Sequence, residues 1–243
     1  MHIYNVTRLL GEMELFRDLL PEQILEMEAL MARRTFPGGT LLMSVEQPGS
    51  ALFIILEGSV KVFLNRDDGS EVIVSLLGSG HTVGEMSVFL GSQRCANAVT
   101  MERTAMLCMS GGDFETFLKR LPQLSFNVGR QLSLRLRLAN QQILALSSLD
   151  VAGRVAREIL AFAERFGRDE DRGWIRIPLR LTQGDLASII GTSRERVNQV
   201  MVRFKRRGYL SVDRAHHITV HNREELARRC GWGLAQTPSL VPG

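Results

Sequence analysis

The chain has 243 residues, and its 44% hydrophobic content is that of an ordinary globular protein large enough for two modest domains. Its three cysteines lie far apart along the chain, so they form neither a disulfide framework nor a paired metal-binding motif. No apolar run is as long as a membrane span, and the first residues lack the pattern of a secretory signal. We therefore expect a cytoplasmic protein that does not contact membranes.

The charge is unevenly distributed along the chain. Residues 1–149 carry 13 Lys and Arg against 15 Asp and Glu, whereas residues 150–243 carry 17 against 11. A basic domain joined to a near-neutral one is typical of a nucleic-acid-binding protein with a separate control module.

The first half of the chain changes from helical to strand-like patterning. Residues 7–33 have apolar residues at helical intervals, broken at Pro21, and predict helices. From Phe36 to Ser110, glycine and proline turns recur about every ten residues between strand-like runs such as Leu52–Leu56 and Val60–Leu64. This pattern predicts a small β-barrel or β-roll, a fold that commonly encloses one ligand.

One segment of the strand-rich region carries groups that suit a phosphorylated ligand. It reads Gly84-Glu85-Met86-Ser87, followed by Arg94-Cys95. The glycine permits close backbone approach, the carboxylate can accept from hydroxyl groups, and the arginine can pair with a phosphate. The same residues would also suit a surface salt bridge, so these residues alone leave two interpretations open.

A long helix is predicted after Pro122. Its apolar residues recur with heptad spacing, which fits either a coiled coil between two subunits or a helix packed on its own domain: Val128, Leu132, Leu136, Ala139, Ile143 and Leu146. We favour the dimer, because helix-turn-helix proteins usually dock on DNA as two-fold pairs. Ser147–Asp150 then predicts a hinge, with Asp150 capping the next helix, and Arg168–Gly173 a charged surface loop.

Two short helices joined by a glycine turn are predicted near residue 190. Thr182 and Ser193 are placed to cap them, and Gly191 lies in the turn between them. The second helix has an apolar stripe opposite four polar residues whose side chains suit hydrogen bonds to base edges, namely Arg194, Glu195, Asn198 and Gln199.

The four polar residues would also fit an ordinary solvated helix face. The helix-turn-helix context favours DNA reading, and so does the predicted strand pair that follows it, Gly208–Val212 and His217–Val220. Such a hairpin is a wing that contacts the phosphate backbone. Arg196 and Lys205 are better assigned to phosphate contacts or to a solvated face of the helix.

From about Leu15 to His221 the chain resembles the cyclic-AMP receptor protein/FNR family of bacterial transcription regulators. The most specific matches are Gly84–Phe89, Gln93–Ala96, Leu149–Arg154 and Gly191–Val197. The resemblance implies an α+β protein with an N-terminal double-stranded β-roll of the cyclic-nucleotide-binding type, a long dimerisation helix and a C-terminal winged helix-turn-helix. We expect a sensor at 1–121, the dimerisation helix and hinge at 122–149, the DNA-binding domain at 150–230 and a loosely ordered tail at 231–243.

The resemblance also implies an effector site. Glu85 would bind the ribose 2′-hydroxyl of a cyclic nucleotide, Arg94 its cyclic phosphate and Gly84 would offer backbone contacts, with Met86 and Ser87 in the same motif. Cys95 stands where cyclic-AMP binders usually have Ser or Thr, and Ala139-Asn140 replaces the family's adenine-binding Thr-Ser pair. Adenine selectivity would then rest on Asn140, with Gln141 or Gln142 as alternatives. Cyclic AMP is the expected effector.

The DNA contacts follow from the same resemblance. Arg194 and Glu195 match two of the family's base readers, but Gln199 stands where the third reader is usually Arg. We expect a homodimer on a TGTGA…TCACA-like palindrome that differs at the base pair facing Gln199, with RNA polymerase as a further partner. The remaining interface residues would be Ser193, Thr182, Asn198, Arg196 and Lys205.

Other functions are expected to fit less well. An iron–sulfur cluster would need four clustered cysteines, and we expect neither haem nor another metal. A constitutively active regulator, or one that senses another small molecule or a redox signal through Cys95, is the main alternative. A cyclic-nucleotide-responsive enzyme is a remote one, because the sequence has no nucleophile elbow or phosphate-binding loop.

Overall fold

The computed structural model describes residues 3–45, 47–91 and 93–231, with the side chains of residues 3–5 left aside. Two compact units divide the chain, Met1–Ala139 and Asn140–Gly243. The boundary falls inside one long helix, Pro122–Ser148, so its first part belongs to one unit and its last turns belong to the other. The predicted tail lies outside the described residues beyond Gly231.

The N-terminal unit is built around strands that are flanked by helices at both ends. Its elements in chain order are α1 Ile3–Gly11, α2 Pro21–Ala29, β1 Ala32–Phe36, β2 Leu41–Met43, β3 Ala51–Glu57, β4 Val60–Asn65, β5 Glu71–Leu77, β6 Thr82–Val83, α3 Glu85–Leu90, β7 Asn97–Thr100, β8 Thr104–Ser110, α4 Gly111–Arg120 and the start of α5, Pro122–Ser148.

The strands form two four-stranded antiparallel sheets. One has the order β1-β8-β3-β6 and the other β2-β7-β4-β5. Leu52 and Ile54 of β3 point into a core shared with the flanking helices, whereas Ile55 points into a second core with Val60 and Leu77. This alternation confirms the predicted β-roll, because successive residues of a strand face opposite sides of its sheet.

The helical prediction for residues 7–33 was too long at its C-terminal end. Strand β1 begins at Ala32, and its Arg33 pairs with Leu107 of β8. The first four residues of β1 are exposed, so the strand has no apolar alternation that could mark it in the sequence.

The second unit contains a helix-turn-helix beside a small sheet. Its elements are the last turns of α5, α6 Val151–Phe166, β9 Arg168–Glu170, β10 Trp174–Ile177, α7 Gln183–Ile190, α8 Arg194–Arg206, β11 Leu210–Val212, β12 Ile218–Val220 and α9 Arg223–Cys230. The sheet order is β11-β12-β10-β9, with antiparallel pairing throughout. The strands β11 and β12 form the predicted wing.

The prediction of a charged surface loop at 168–173 was right about exposure but wrong about the backbone of its first half. Residues 168–170 form the edge strand β9, which pairs with β10 from Glu170↔Trp174 to Arg168↔Arg176. All three residues of β9 are exposed and charged, so its backbone pairing has no counterpart in hydrophobic periodicity. Helix α9 was not predicted either; it buries Leu226, Ala227 and Cys230.

Helix α5 has apolar residues in two different environments. Val128 is buried in the core of the N-terminal unit and Leu132 packs against that core, so the predicted seam was wrong at these two positions. Phe126, near the start of the helix, is 68% exposed. Leu136 and Ile143, farther along, are 63% and 65% exposed. These three residues leave an unburied apolar row on the helix.

No helix within the described ranges is long and apolar enough to cross a membrane. Among the same residues, no group of three or more His, Cys, Asp or Glu side chains is arranged to hold a metal ion.

Candidate nucleotide pocket and DNA-recognition surface

The pocket of the N-terminal unit is organised around Gly84. This residue caps α3 with a φ of 95°, in the left-handed region that favours glycine. A Cβ atom here would lie 2.5 Å from Nη1 of Arg94 and 2.8 Å from the carbonyl oxygen of Ala51. Only glycine therefore allows the backbone to lie this close to the arginine.

Arg94 is buried among oxygen acceptors. Its Nη1 donates to the carbonyl of Gly84 at 3.0 Å and to Oγ of Ser87 at 2.9 Å, and its Nη2 donates to the carbonyl of Ala51 at 2.6 Å. Burial lowers the pKa of Arg94, while neighbouring Glu85 raises it. The guanidinium stays charged because its ordinary pKa lies so far above neutrality.

Glu85 is also buried, with only 2% of its surface exposed. Its Oε1 accepts a short hydrogen bond from Nη1 of Arg135, which comes from α5 of the same unit. Nη2 of Arg135 donates to the carbonyl of Thr82 at 2.8 Å and approaches its hydroxyl at 3.3 Å. Arg135 thus fastens α5 to the strand and helix that carry the pocket.

Sequence reasoning missed Arg135. Its contact with Glu85 spans 50 residues, so neither local spacing nor a motif shows the pairing. The one available signal was its position four residues before Ala139, which puts both on the same face of α5.

Two buried polar atoms of the pocket have no hydrogen-bond partner among the described residues, Oε2 of Glu85 and Nε of Arg94. A buried unpaired acceptor and donor are costly unless another molecule supplies partners. A sugar hydroxyl could donate to the carboxylate, and a phosphate oxygen could accept from the guanidinium. The residues present therefore fit a ribose phosphate.

The cavity beside these groups is small in this conformation. It measures about 60 Å³ and is lined by Met43, Val62, Leu77, Thr82, Val83, Gly84, Glu85, Met86, Ser87, Arg94, Cys95, Ala96 and Arg135. Pockets for drug-sized ligands are usually about 300–1,000 Å³. A nucleotide would therefore need the lining groups to move apart.

The structure brings together most of the predicted effector residues. Ser87 is buried, and its hydroxyl donates to the carbonyl of Gly84 at 2.9 Å while accepting from Arg94. Met86 and Cys95 line the same cavity and are exposed. Asn140 is exposed and is not among the residues that line this cavity.

In the second unit, the two predicted helix caps are confirmed. Thr182 Oγ1 accepts from the backbone N–H of Asp185 at 3.1 Å, and the Asp185 carboxylate accepts from the N–H of Thr182 at 3.0 Å. Ser193 Oγ accepts from the N–H of Arg196 at 3.4 Å. Gly191 has a φ of 65°, as a left-handed helix end requires.

Helix α8 is divided into a buried and an exposed face as predicted. Val197, Val200, Met201 and Phe204 are buried. Arg194, Glu195 and Gln199 are exposed, and none of their side chains has a hydrogen-bond partner among the described residues.

Three more predicted DNA-contacting side chains are exposed on α8. Oδ1 of Asn198 accepts from Nε2 of Gln183 at 3.0 Å, which fixes the orientation of this amide. Arg196 and Lys205 are exposed. The geometry suits base-edge contacts from the start of α8 and phosphate contacts around it.

The wing turn is held by one carboxylate. Oδ1 of Asp213 accepts from the backbone N–H groups of Ala215 and His217, each at 2.9 Å. The hydrogen bond from His217 is the main reason that the pKa of Asp213 is lowered. The turn therefore keeps a charged, ordered carboxylate at its base at neutral pH.

The fold and these two surfaces point to a class of protein, the DNA-binding transcription regulators that carry a separate ligand-binding β-roll domain. Residues 33–121 match the model of the cyclic nucleotide-binding domain, and residues 153–229 match that of the Crp-like helix-turn-helix domain. The chain belongs to the CRP-like family of DNA-binding transcription regulators.

The similarity to curated relatives extends over most of the chain. It is 31% identical over 221 residues to the CRP-like cAMP-activated global transcriptional regulator of Mycobacterium tuberculosis, covering 91% of this chain and 98% of the relative. It is also 31% identical over 222 residues to the cyclic AMP receptor protein of Thermus thermophilus, with the same coverage.

Solved structures support the same fold. The c-di-GMP responsive global regulator CLP of Xanthomonas campestris aligns with a TM-score of 0.70 and 24% identity. The alignment covers 82% of this chain and 98% of that chain. At this identity the similarity shows the fold alone.

Proposed function

We propose that the protein is a homodimeric, sequence-specific transcription regulator whose DNA binding is controlled by cyclic AMP. The main supporting observation is the pair of buried, unpartnered atoms in the pocket, Oε2 of Glu85 and Nε of Arg94. They call for a ligand that carries both a hydroxyl and an anionic oxygen. Both curated relatives fit this choice, since one is named as cAMP-activated and the other as a cyclic AMP receptor.

In this proposal the pocket residues have separate tasks. Glu85 accepts from the ribose hydroxyl, Arg94 donates to the cyclic phosphate, and Gly84 lets the phosphate approach the backbone. Ser87 holds Arg94 in position, and Met86 and Cys95 lie at the margin of the site. Asn140 remains our candidate for the adenine contact.

The present cavity is small for a nucleotide, so in this proposal its lining moves apart as the effector enters, and the ion pair between Glu85 and Arg135 is the contact that we expect to loosen. Arg135 lies on α5. A change in its hydrogen-bond partners would therefore alter how α5 is attached to the elements of the pocket. Cyclic AMP would favour the DNA-binding state only to the extent that it binds that state more tightly.

The exposed apolar row of α5 supports the dimer. Phe126, Leu136 and Ile143 are more than half exposed, and their spacing is close to whole multiples of the coiled-coil repeat of about 3.5 residues. Pairing with the same row of a second copy would bury them and place two recognition helices on a two-fold DNA site. Within this dimer we retain the functional division at residues 121, 149 and 230.

On DNA, Arg194 and Glu195 would read base edges of a TGTGA-like half-site, and Gln199 would alter the preference at one base pair. Asn198 is a further base contact. Ser193, Thr182, Arg196 and Lys205 would position the helix through the backbone. RNA polymerase is the expected partner at promoters, in a cytoplasmic, non-enzymatic role.

The deciding experiment selects binding sites from random DNA with and without cyclic AMP, alongside calorimetric titration of the same nucleotide. We expect measurable heat and enrichment of a palindrome only when cyclic AMP is present. Cyclic GMP is the matched ligand control. If no heat is measured and the same palindrome is enriched in both conditions, the effector assignment is wrong and the protein is a constitutively active regulator.

A further inference from the structure

The C-terminal end of α7 has an unusual set of partners. The last carbonyl groups of a helix lack intrahelical donors and need others. Nε2 of Gln142 donates to the carbonyl of Ile189 at 2.8 Å, and Nη1 of Arg154 donates to the carbonyl of Ile190 at 2.8 Å. Side chains from α5 and α6 thus complete the end of the first helix of the helix-turn-helix.

An apolar contact adds to these hydrogen bonds. A Cβ atom on Gly191 would lie 3.4 Å from Cδ2 of Leu146, so the turn between α7 and α8 passes directly beside α5. Ala145, the residue before Leu146, is only 3% exposed. One side of the last turns of α5 therefore packs within the second compact unit, while Ile143 and Leu144 on these turns stay exposed.

Gln142 is itself held in one orientation. Its Oε1 accepts from Nη1 of Arg157 at 3.0 Å, while its Nε2 faces the carbonyl of Ile189. An arginine can only donate and a carbonyl can only accept, so the amide cannot be reversed without losing both bonds. The side chain is therefore committed within this unit, although the sequence also allowed it a role at adenine.

We propose that these contacts form a turn clamp, made of Gln142, Leu146 and Arg154 acting on Ile189–Gly191, that fixes the direction of the recognition helix relative to the last turns of α5. This inference rests on the proposed dimeric function and identifies Gln142 as a positioning residue. In this proposal the Gln142 side chain does not contact a DNA base.

The consequence of the clamp is control over half-site spacing. In the proposed dimer the two α5 helices are paired. The direction of each recognition helix is then set relative to this pair of helices. B-DNA requires those helices to be about 34 Å apart. Helix α8 begins two residues after Thr192, so a change of direction at the turn moves its reading face. A dimer with a loosened clamp would therefore bind pairs of half-sites at several spacings with similar affinity.

The experiment compares Gln142→Ala, Gln142→Glu and the control Thr116→Ala at saturating cyclic AMP. Gln142→Glu keeps an acceptor for Arg157 and removes the donor to Ile189. Thr116 lies outside the hinge and the DNA-binding unit, and its exposed hydroxyl donates to the carbonyl of Gly112 in its own helix at 2.9 Å. Each protein is titrated against the selected palindrome, the same palindrome with one or two base pairs inserted at its centre, and an isolated half-site.

We expect the intact protein and Thr116→Ala to prefer the native spacing. Both Gln142 variants should lose about fivefold of that preference, the effect of one ordinary hydrogen bond, with half-site affinity unchanged. Equal spacing preference in all four proteins would overturn the clamp alone. A parallel fall in affinity for every DNA, half-site included, would also overturn it by showing a general structural defect. No spacing preference in the intact protein would overturn the proposed two-fold reading and the clamp together.

Discussion

The pocket and the recognition helix use similar residues in opposite ways. In the pocket, Glu85 and Arg94 are buried, and most of their hydrogen-bonding capacity is already taken by the protein. On α8, Arg194 and Glu195 are exposed and have no partner among the described residues. The charged groups of the pocket therefore already have hydrogen-bond partners in the protein without a ligand, whereas Arg194 and Glu195 have none within the described part of the chain.

This difference shows where each site obtains its selectivity. A ligand of the pocket would pair with the two atoms that still lack partners, Oε2 of Glu85 and Nε of Arg94, and would have to offer more than any bond of Arg135 or the backbone carbonyls that it displaces. In the proposed contact with DNA, the α8 surface would exchange water and counterions for the duplex, so charge would supply much of the affinity and base contacts would supply the discrimination.

The largest expected effect follows from removing Arg94. Arg94→Ala should weaken cyclic AMP binding about a hundredfold, because charge-assisted hydrogen bonds to the phosphate are each worth about 1.5–3 kcal/mol. Calorimetry measures the affinity, and thermal unfolding verifies that the variant is folded. Arg94→Lys keeps the charge without the planar fork and should recover part of the affinity. Arg66→Ala, at an exposed arginine, should leave it unchanged. If folded Arg94→Ala bound cyclic AMP with unaltered affinity, Arg94 would not contact the ligand. The contrast between the buried pocket and the exposed α8 surface would then be wrong.

The next effect tests the exposed site. Arg194→Ala should lower affinity for the selected palindrome by about 1–3 kcal/mol per lost base contact, with little change on random DNA. Fluorescence anisotropy with both DNAs measures this directly. Equal weakening on both would show that Arg194 contacts phosphates rather than bases.

A smaller effect concerns the folding of the DNA-binding unit. Asp150 caps α6 by accepting from the N–H of Gly153 at 2.8 Å, and this bond together with Arg229 lowers the carboxyl pKa. Asp150→Ala should reduce the free energy of unfolding by about 1 kcal/mol at neutral pH. Asp150→Asn, which keeps an acceptor, should lose less.

The pH dependence of this effect has a defined sign. Because the folded-state pKa lies below the ordinary value of 3.8, the stabilisation is complete above that value and is lost as the pH falls through the lowered pKa. Denaturant unfolding of both variants between pH 7 and pH 2 measures the difference. A gap between wild type and Asp150→Ala that widens in acid would contradict the capping role of the charged carboxylate.

The smallest effect distinguishes phosphate contacts from base contacts on α8. Lys205→Ala should weaken binding a few-fold on every sequence and reduce the slope of log affinity against log salt by about 1. Titrations at several salt concentrations measure the slope. Lys119→Ala, at an exposed lysine paired with Glu115 in the N-terminal unit, is the matched control and should not change it.

The predictable parts of the molecule are those with local patterns. Hydrophobic periodicity identified the buried stripe of α8 and strands β3 to β5, and side-chain caps identified both ends of the turn at Gly191. These features depend on residues a few positions apart. The recognition helix could therefore be derived almost completely.

The missed parts depend on distant partners. Arg135 meets Glu85 across 50 residues, and the clamp joins Gln142 to Ile189 across 47. The exposed strands β1 and β9 pair through their backbones, so their side chains carry no signal. The apolar residues of α5 do recur with heptad spacing. This periodicity alone does not show whether Val128 is buried in the core of its own subunit or against another subunit.

The bond between Glu85 and Arg135 has one more consequence, for molecules that should not bind. Inorganic phosphate can interact with Arg94 but brings no hydroxyl for Glu85, and a nucleoside without phosphate offers nothing to the arginine. Neither compensates for separating Glu85 from Arg135. In the proposed mode of binding, the pocket would therefore discriminate against inorganic phosphate and free nucleosides and would favour a molecule that carries both groups at the correct separation.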